Sequence, residues 1–111
     1  MVVTSNIVHF ACNNEKYCIT LQSFMRKVIG IGETVFDIIF RDNQPVSAVP
    51  GGSTFNAMIS LGRTLGRKGT ECLMISETGD DHIGQIIVDF MKQNNVSPKF
   101  VTINENTKSH I

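Results

Sequence analysis

The sequence lacks an excess of charge of either sign. Its 111 residues contain 10 Lys and Arg against 10 Asp and Glu, so the formal net charge is zero. No basic stripe runs along the chain, which argues against nucleic acid or an anionic membrane surface as the main partner. The apolar fraction of 41% is ordinary for a globular chain, and this composition favours one folded domain over disorder.

Long apolar runs and paired cysteines are also missing. No stretch is long enough to span a bilayer, and the N-terminus has no signal-peptide pattern, so a cytoplasmic location without membrane attachment is expected. Cys12, Cys18 and Cys72 contain no Cys-x-x-Cys pair, and reduced thiols are the expected state. His9 could join Cys12 and Cys18 around a metal, but the spacing fits no common zinc site and a fourth ligand is missing. No metal site is predicted.

The chain does contain strands that alternate with helices after short glycine turns. The expected strands are 27–32, 34–40, 71–76, 100–103, an edge or flap piece at 46–49, and the start of one more at 109–111. Helices are expected from Ser53 to about Gly66 and over the amphipathic stretch 83–94. This alternation is typical of an α/β fold with a parallel sheet and right-handed crossovers.

Both ends of the sequence differ from this pattern. Residues 1–25 show no sustained hydrophobic period, and Met25 leads straight into an apolar strand. We therefore expect Met25 to be the natural start, with residues 1–25 a poorly ordered or appended extension to a domain at 26–111. The chain also stops while entering a strand, which indicates a piece of something larger.

A glycine pair, Gly51-Gly52, opens directly into the first helix. Ser53 is the expected N-cap, and Asn56 lies in the first turn, where it can donate and accept hydrogen bonds. Because a helix N-terminus leaves backbone N–H groups without intrahelical partners, it can bind polar or anionic groups. An ordinary loop-to-helix junction is the alternative for a bare glycine pair.

Common nucleotide and hydrolase signatures do not fit. A Gly-Ile-Gly run at 30–32 follows a strand, but the third glycine of a dinucleotide fingerprint would fall at Val35. Five positions after Gly62 stands Arg67, and the chain has no Gly-Lys-Ser/Thr phosphate loop. A Gly-x-Ser-x-Gly elbow is absent too.

One ordered set of motifs does form a recognisable layout. Its members are Gly30-Ile31-Gly32-Glu33, Asp37, Gly51-Gly52, Asn56 and Gly79-Asp80-Asp81-His82-Ile83-Gly84. From about Arg26 onward the chain resembles the N-terminal part of the ribokinase-like (PfkB) family of carbohydrate and nucleoside kinases, and it looks most like the fructokinase type. Each motif alone is weak, and the specificity comes from their order and spacing.

The resemblance implies the N-terminal part of a ribokinase-like three-layer α/β fold with a small β lid. Asp37 matches the acidic residue that hydrogen-bonds sugar hydroxyls, and Gly51, Gly52 and Asn56 match the signature that holds the sugar. A carboxylate can accept from two vicinal hydroxyls, and glycines let a polyol lie against the backbone. A solvated or turn-capping aspartate is the alternative for Asp37.

The resemblance also implies a lid built from residues 46–49, 100–103 and 109 onward. Such a lid would exclude water from the sugar, and a homodimer through the lid is expected. The Gly79–Gly84 turn looks structural, with an aspartate as the cap of the second helix.

The implied activity is transfer of a phosphoryl group from ATP to a sugar hydroxyl. In this family the ATP site, the anion hole and the catalytic base belong to the C-terminal half, which nothing in this sequence matches. ATP and Mg²⁺ are thus expected for a full-length enzyme, whereas these 111 residues are expected to bind neither and to be inactive. A nucleoside kinase fragment, a non-catalytic sugar-binding or interaction module, and a remnant without ligand are the alternatives.

Overall fold

The computed structural model describes residues 2–7 and 25–111, with side chains from residue 26 onward. In chain order the elements are β1 (Val2–Ile7), β2 (Met25–Ile31), β3 (Val35–Arg41), β4 (Gln44–Gly51), α1 (Ser53–Leu65), a 3₁₀ turn (Gly66–Lys68), β5 (Glu71–Gly79), α2 (His82–Gln93) and β6 (Val96–Asn104). The predicted alternation of strands and helices is confirmed.

Four of these strands form one sheet in the order β1-β2-β5-β6. β2, β5 and β6 run parallel, as the sequence predicts, whereas β1 pairs antiparallel with β2. The stretch predicted as an extension therefore contributes one strand to the sheet. Residues 8–24 lie outside the described residues, and whether 1–25 is a native part of the protein stays a prediction.

Both helices pack on the same face of the sheet. Apolar residues recur at helical spacing in α1 and α2, so each helix turns one stripe toward the strands. The rings of Phe55 and Phe90 stack with their centroids 6.1 Å apart and join the two helices. The buried cluster comprises Val28, Phe55, Met58, Ile59, Cys72, Met74, Ile87, Met91 and Val96.

The start of α1 differs from the prediction. Ser53 is not the N-cap, because Gly52 takes that position and Ser53 is the first helical residue. Gly52 has a φ of 114°, which residues with a Cβ rarely adopt. No side chain caps this end, so the first-turn amides are left for other acceptors.

β3 and β4 form a separate two-stranded hairpin. Asp42 and Asn43 make its turn with φ values of 50° and 61°, and positive φ at both central residues matches the right-handed twist of a hairpin. The predicted flap strand at 46–49 is confirmed within β4. The placement of 100–103 in the lid is wrong, because these residues lie in β6 and pair with β5. Of the predicted strand at 109–111, the described structure shows a single parallel bridge between Val35 and His110.

Candidate active-site cleft

A cavity of about 350 Å³ opens where β2 and β5 end. The carboxyl ends of parallel strands are where open α/β sheets bind ligands. The lining residues are Gly32, Glu33, Thr34, Ser76, Glu77, Thr78, Gly79, Thr107, Lys108 and His110. The backbone O of His110 accepts from Phe36 N at 2.8 Å, so the base of the hairpin adjoins this cavity, which we call the cleft.

Asp37 lies in β3 directly against the end of β4. A Cβ on Gly51 would collide with Asp37 Oδ2, so the carboxylate rests on the bare backbone of the buried glycine. The Asp37 side chain is exposed, and within the part of the chain that the structure describes no hydrogen bond or ion pair engages it. The carboxylate is therefore free to accept hydrogen bonds from a ligand.

Gly52 and Asn56 stand at the adjoining start of α1. A Cβ on Gly52 would lie 2.7 Å from the backbone O of Glu33, so the loop after β2 and the start of α1 approach more closely than a larger residue permits. The backbone N of Asn56 donates to Gly52 O at 2.8 Å. The side-chain amide of Asn56 is exposed, so it can bind other partners. The structure thus brings Asp37 together with Gly51, and places Gly52 and Asn56 immediately after them.

Ser76 is a feature of the cleft that the sequence analysis missed. Its Oγ is buried and has no hydrogen-bond partner among the described residues, although a buried hydroxyl normally has one. Ser76 follows Cys72 and Met74 at strand spacing on the face that carries the core. A polar residue at such an inward position was the available signal.

Asp81 caps α2, and an aspartate cap was predicted for this turn. Asp81 Oδ1 accepts from Gly84 N at 2.8 Å and from Ser109 Oγ at 2.6 Å, and Oδ2 accepts from Ser109 N at 2.8 Å. These bonds, those from Ser109 foremost, lower the pKa of Asp81 to about 2, with a smaller contribution from the charge of Lys108. The group is ionised throughout the physiological range.

The polar groups of the cleft carry both signs of charge. Glu33, Glu77 and Lys108 all line the cavity, and Glu77 Oε1 accepts from Asn104 Nδ2 at 2.7 Å. Carboxylates and hydroxyls suit the hydroxyl groups of a polyol, whereas two carboxylates disfavour a triphosphate.

Metal ligands do not gather in the described part of the chain, where no three His, Cys, Asp or Glu side chains come close enough to hold an ion. Cys72 is a free, buried thiol, and burial raises its pKa. His9, Cys12 and Cys18 lie outside the described residues. No helix among residues 25–111 is both long and apolar enough to cross a membrane.

No protein-family model and no curated protein matches the chain. Solved structures do. The aminoimidazole riboside kinase of Salmonella enterica, in complex with aminoimidazole riboside and an ATP analogue, is similar over 75% of this chain with a TM-score of 0.67 and 26% identity. An uncharacterised sugar kinase from Pyrococcus horikoshii is similar over 73% of this chain, with a TM-score of 0.63 and 22% identity. A fructokinase from Xylella fastidiosa with bound ATP is similar over 75% of this chain, with a TM-score of 0.61 and 15% identity.

These structural neighbours are PfkB-type sugar and riboside kinases, so the resemblance inferred from the sequence is confirmed. The mixed α/β fold of the chain matches that of ribokinase-like kinases. The chain spans 27% of the length of each of these three solved structures.

Proposed function

We propose that this chain is the sugar-binding N-terminal part of an ATP-dependent carbohydrate kinase. The observation that carries the proposal is the contact of the Asp37 carboxylate with Gly51 in the hairpin. A carboxylate without a protein partner lies there against bare glycine backbone, and the Asn56 amide follows in the first turn of α1. This set suits a polyol, because the carboxylate accepts from neighbouring hydroxyls while the glycines admit close approach.

ATP and Mg²⁺ are assigned to the remainder of such a kinase. The Asp37 carboxylate beside Gly51 would repel a phosphate group, so the glycine pair fits a sugar better than a nucleotide. When bound, Mg²⁺ and ATP would supply the phosphoryl group and neutralise its charge. The residues of this chain would bind and orient the sugar, and the hairpin would exclude water from it.

The proposal is tested by titrating the chain calorimetrically with D-fructose, D-ribose and aminoimidazole riboside. We expect binding of one of them, weakened about 10- to 100-fold by Asp37→Asn, since hydrogen bonds to a charged acceptor are lost. Asp42→Asn in the hairpin turn is the matched control and should leave binding unchanged. If Asp37→Asn binds as tightly as the native chain, Asp37 does not hold the ligand.

Two outcomes would favour other functions. Preference for aminoimidazole riboside would favour a nucleoside kinase fragment, in keeping with the riboside kinase among the neighbours. Binding of a sugar by an assembly that never transfers phosphate from ATP would favour a non-catalytic binding module. The chain alone, supplied with ATP and Mg²⁺, should give no sugar phosphate, and turnover by these residues would overturn the assignment of catalysis elsewhere.

We further propose that the hairpin is a homodimer interface. Ile38, Ile39 and Phe40 are 42%, 48% and 62% exposed in β3, and uncovered large apolar side chains mark interaction sites. Phe40→Lys should lower the molar mass measured by light scattering from dimer to monomer. Ile86→Lys, at a 46% exposed site on α2, is the control, and equal effects of both would contradict a specific interface.

A further inference from the structure

Ser109 lies where three segments meet. The end of β5, the start of α2 and the segment after β6 converge on this residue, which is 8% exposed. Two of the segments supply hydrogen-bond partners for Ser109: Thr78 and Gly79 from β5, and Asp81 from the turn into α2. The Ser109 side chain thereby ties the segment after β6 to both β5 and the start of α2.

The Ser109 hydroxyl uses its full hydrogen-bonding capacity. It donates its one proton to Asp81 Oδ1 at 2.6 Å, because the ionised carboxylate can only accept. It therefore accepts from Gly79 N at 3.1 Å and from Thr78 Oγ1 at 2.9 Å. One donor and two acceptor sites are all that a hydroxyl has.

The Asp81 carboxylate has two functions, the cap of α2 and the binding of Ser109. One oxygen caps α2 through Gly84 N and also accepts from the Ser109 hydroxyl, while the other accepts from Ser109 N at 2.8 Å. An asparagine could keep the cap through its single carbonyl oxygen. It would then present an NH₂ donor to the Ser109 amide, where an acceptor is required.

Two glycines make room for this arrangement. A Cβ on Gly79 would lie 2.5 Å from Ser109 N and 2.7 Å from Thr107 O. A Cβ on Gly84 would collide with Gly79 O and lie 3.1 Å from Ser109 Oγ. The glycines of this turn therefore serve the approach of the segment around Ser109 as well as the turn itself.

The next residue joins this junction to the proposed sugar site. The backbone O of His110 accepts from Phe36 N at 2.8 Å, and Phe36 precedes Asp37 in β3. Lys108 and His110 on either side of Ser109 both line the cleft. A shift of Ser109 would thus move one wall of the cleft and the base of the strand that carries Asp37.

We propose that Asp81 is a positioning residue for the sugar site: by binding the backbone and hydroxyl of Ser109, it fixes residues 107–110 against the hairpin base and so sets the place of Asp37. The helix cap and the positioning of Ser109 are separable functions of one carboxylate. Only the effect on sugar affinity rests on the proposed function, since the effect on the hairpin base is a property of the fold.

Amide hydrogen exchange, followed by NMR in the 111-residue chain, tests the positioning directly. Asp81→Asn should keep the protection of the Gly84 amide and lower that of the Phe36 amide roughly tenfold, because local opening becomes easier when a charge-assisted bond is lost. Asp80→Asn, which removes a charge one residue away, should change neither. Unchanged protection of Phe36 in Asp81→Asn, with the chain folded, overturns the proposal.

Ser109→Ala provides the test if Asp81→Asn does not fold. It keeps the bond from Ser109 N to Asp81 and loses only the hydroxyl, so Phe36 protection should fall less than in Asp81→Asn but measurably. Ser109→Thr, which restores the hydroxyl, should recover it. Equal Phe36 protection in the alanine, threonine and native chains would overturn the proposal.

Sugar titration separates this proposal from the proposed function. With D-fructose, D-ribose and aminoimidazole riboside as probes, Asp81→Asn should weaken whatever binding the native chain shows about tenfold, the size expected for one lost charge-assisted bond. If the native chain binds none of the probes while Phe36 protection still falls, the sugar assignment fails and the positioning stands. If binding is weakened but Phe36 protection is unchanged, the positioning through Ser109 fails.

Discussion

Gly52 and Gly69 both have positive φ, but their surroundings differ. A Cβ on Gly52 would lie 2.7 Å from the backbone O of Glu33, whereas a Cβ on Gly69 would meet nothing within 4 Å. Gly69→Ala should cost about 1 kcal/mol of unfolding free energy from backbone strain alone. Gly52→Ala adds a clash with the backbone of Glu33, which cannot move without distorting the fold. It should lower the free energy of unfolding by about 2–4 kcal/mol.

Urea unfolding of the two alanine variants measures this difference. Equal losses would mean that strain at positive φ, and not the closeness of Glu33 to the start of α1, keeps residue 52 a glycine. Because Gly52 also belongs to the proposed sugar site, its variant should lose sugar binding as well, whereas Gly69→Ala should retain it.

The pH dependence of stability follows from Asp81. Its pKa is lowered from 3.8 to about 2 by the bonds from Ser109 and Gly84, so the unfolded chain takes up this proton at a higher pH than the folded chain does. The stabilisation is therefore complete above about pH 4 and is lost as the pH falls from there toward 2.

Unfolding midpoints of the native chain and Asp81→Asn between pH 5 and pH 2 check this sign. The difference between the unfolding midpoints of the native chain and Asp81→Asn should shrink steadily as the pH falls over that interval. Ser109→Ala removes the largest cause of the lowered pKa, so its acid-dependent loss of stability should be smaller and should end at a higher pH than in the native chain. A constant difference between the native chain and Asp81→Asn would contradict the lowered pKa.

At the scale of elements, the hairpin turn offers the clearest test. Asp42 and Asn43 both have positive φ, and glycine at the second position is the preferred choice for such a two-residue turn. Asn43→Gly should raise the unfolding free energy by a few tenths to about 1 kcal/mol, because asparagine tolerates this conformation less well. Asn43→Ala should lower it. Urea unfolding of both variants checks the sign, and a gain with alanine would contradict the turn geometry.

The same turn shows why strand pairing was predicted less well than strand existence. Asp-Asn is a weaker hairpin signal than Asn-Gly, so the sequence predicted the strands at 34–40 and 46–49 without joining them. The sequence analysis placed the strand after Pro98, at 100–103, but β6 begins at Val96 and includes the proline near a register shift between Leu73 and Ile75. Local pattern located α2 well, since its amphipathic period is independent of what it packs against.

The candidate site residues also divide into those that local motifs indicate and those that they do not. Asp37, Gly51, Gly52 and Asn56 could be named from ordered motifs, whereas Ser76 and Ser109 could not. The contacts of Ser109 join residues 28 to 31 positions apart, and no local pattern encodes which distant segment completes a hydrogen bond. The predicted aspartate cap of α2 depends on local sequence, whereas the proposed positioning of Ser109 by Asp81 does not.

At the scale of the whole molecule, the helices cover one face of the parallel sheet, and the other face leaves large apolar side chains exposed in the described residues. Met74 belongs to the core beneath the helices, so its neighbour Ile75 points to the other face, and Phe100 lies opposite Ile75 in the sheet register. Ile75 and Phe100 are 42% and 46% exposed. Parallel sheets are ordinarily covered on both faces, so this apolar surface is expected to dominate the behaviour of the chain in solution.

Replacing both residues tests that expectation. Ile75→Thr combined with Phe100→Thr should lower the fluorescence of a bound apolar dye and reduce self-association at high concentration, because each buried apolar side chain contributes about 1.5–3 kcal/mol to such contacts. Threonine is β-branched and suits a strand, so the sheet should survive. Ile86→Thr, an equally exposed apolar site on α2, is the control. An equal effect of that control would mean that general surface hydrophobicity governs association; a larger effect at Ile75 and Phe100 would assign it to the open face of the sheet.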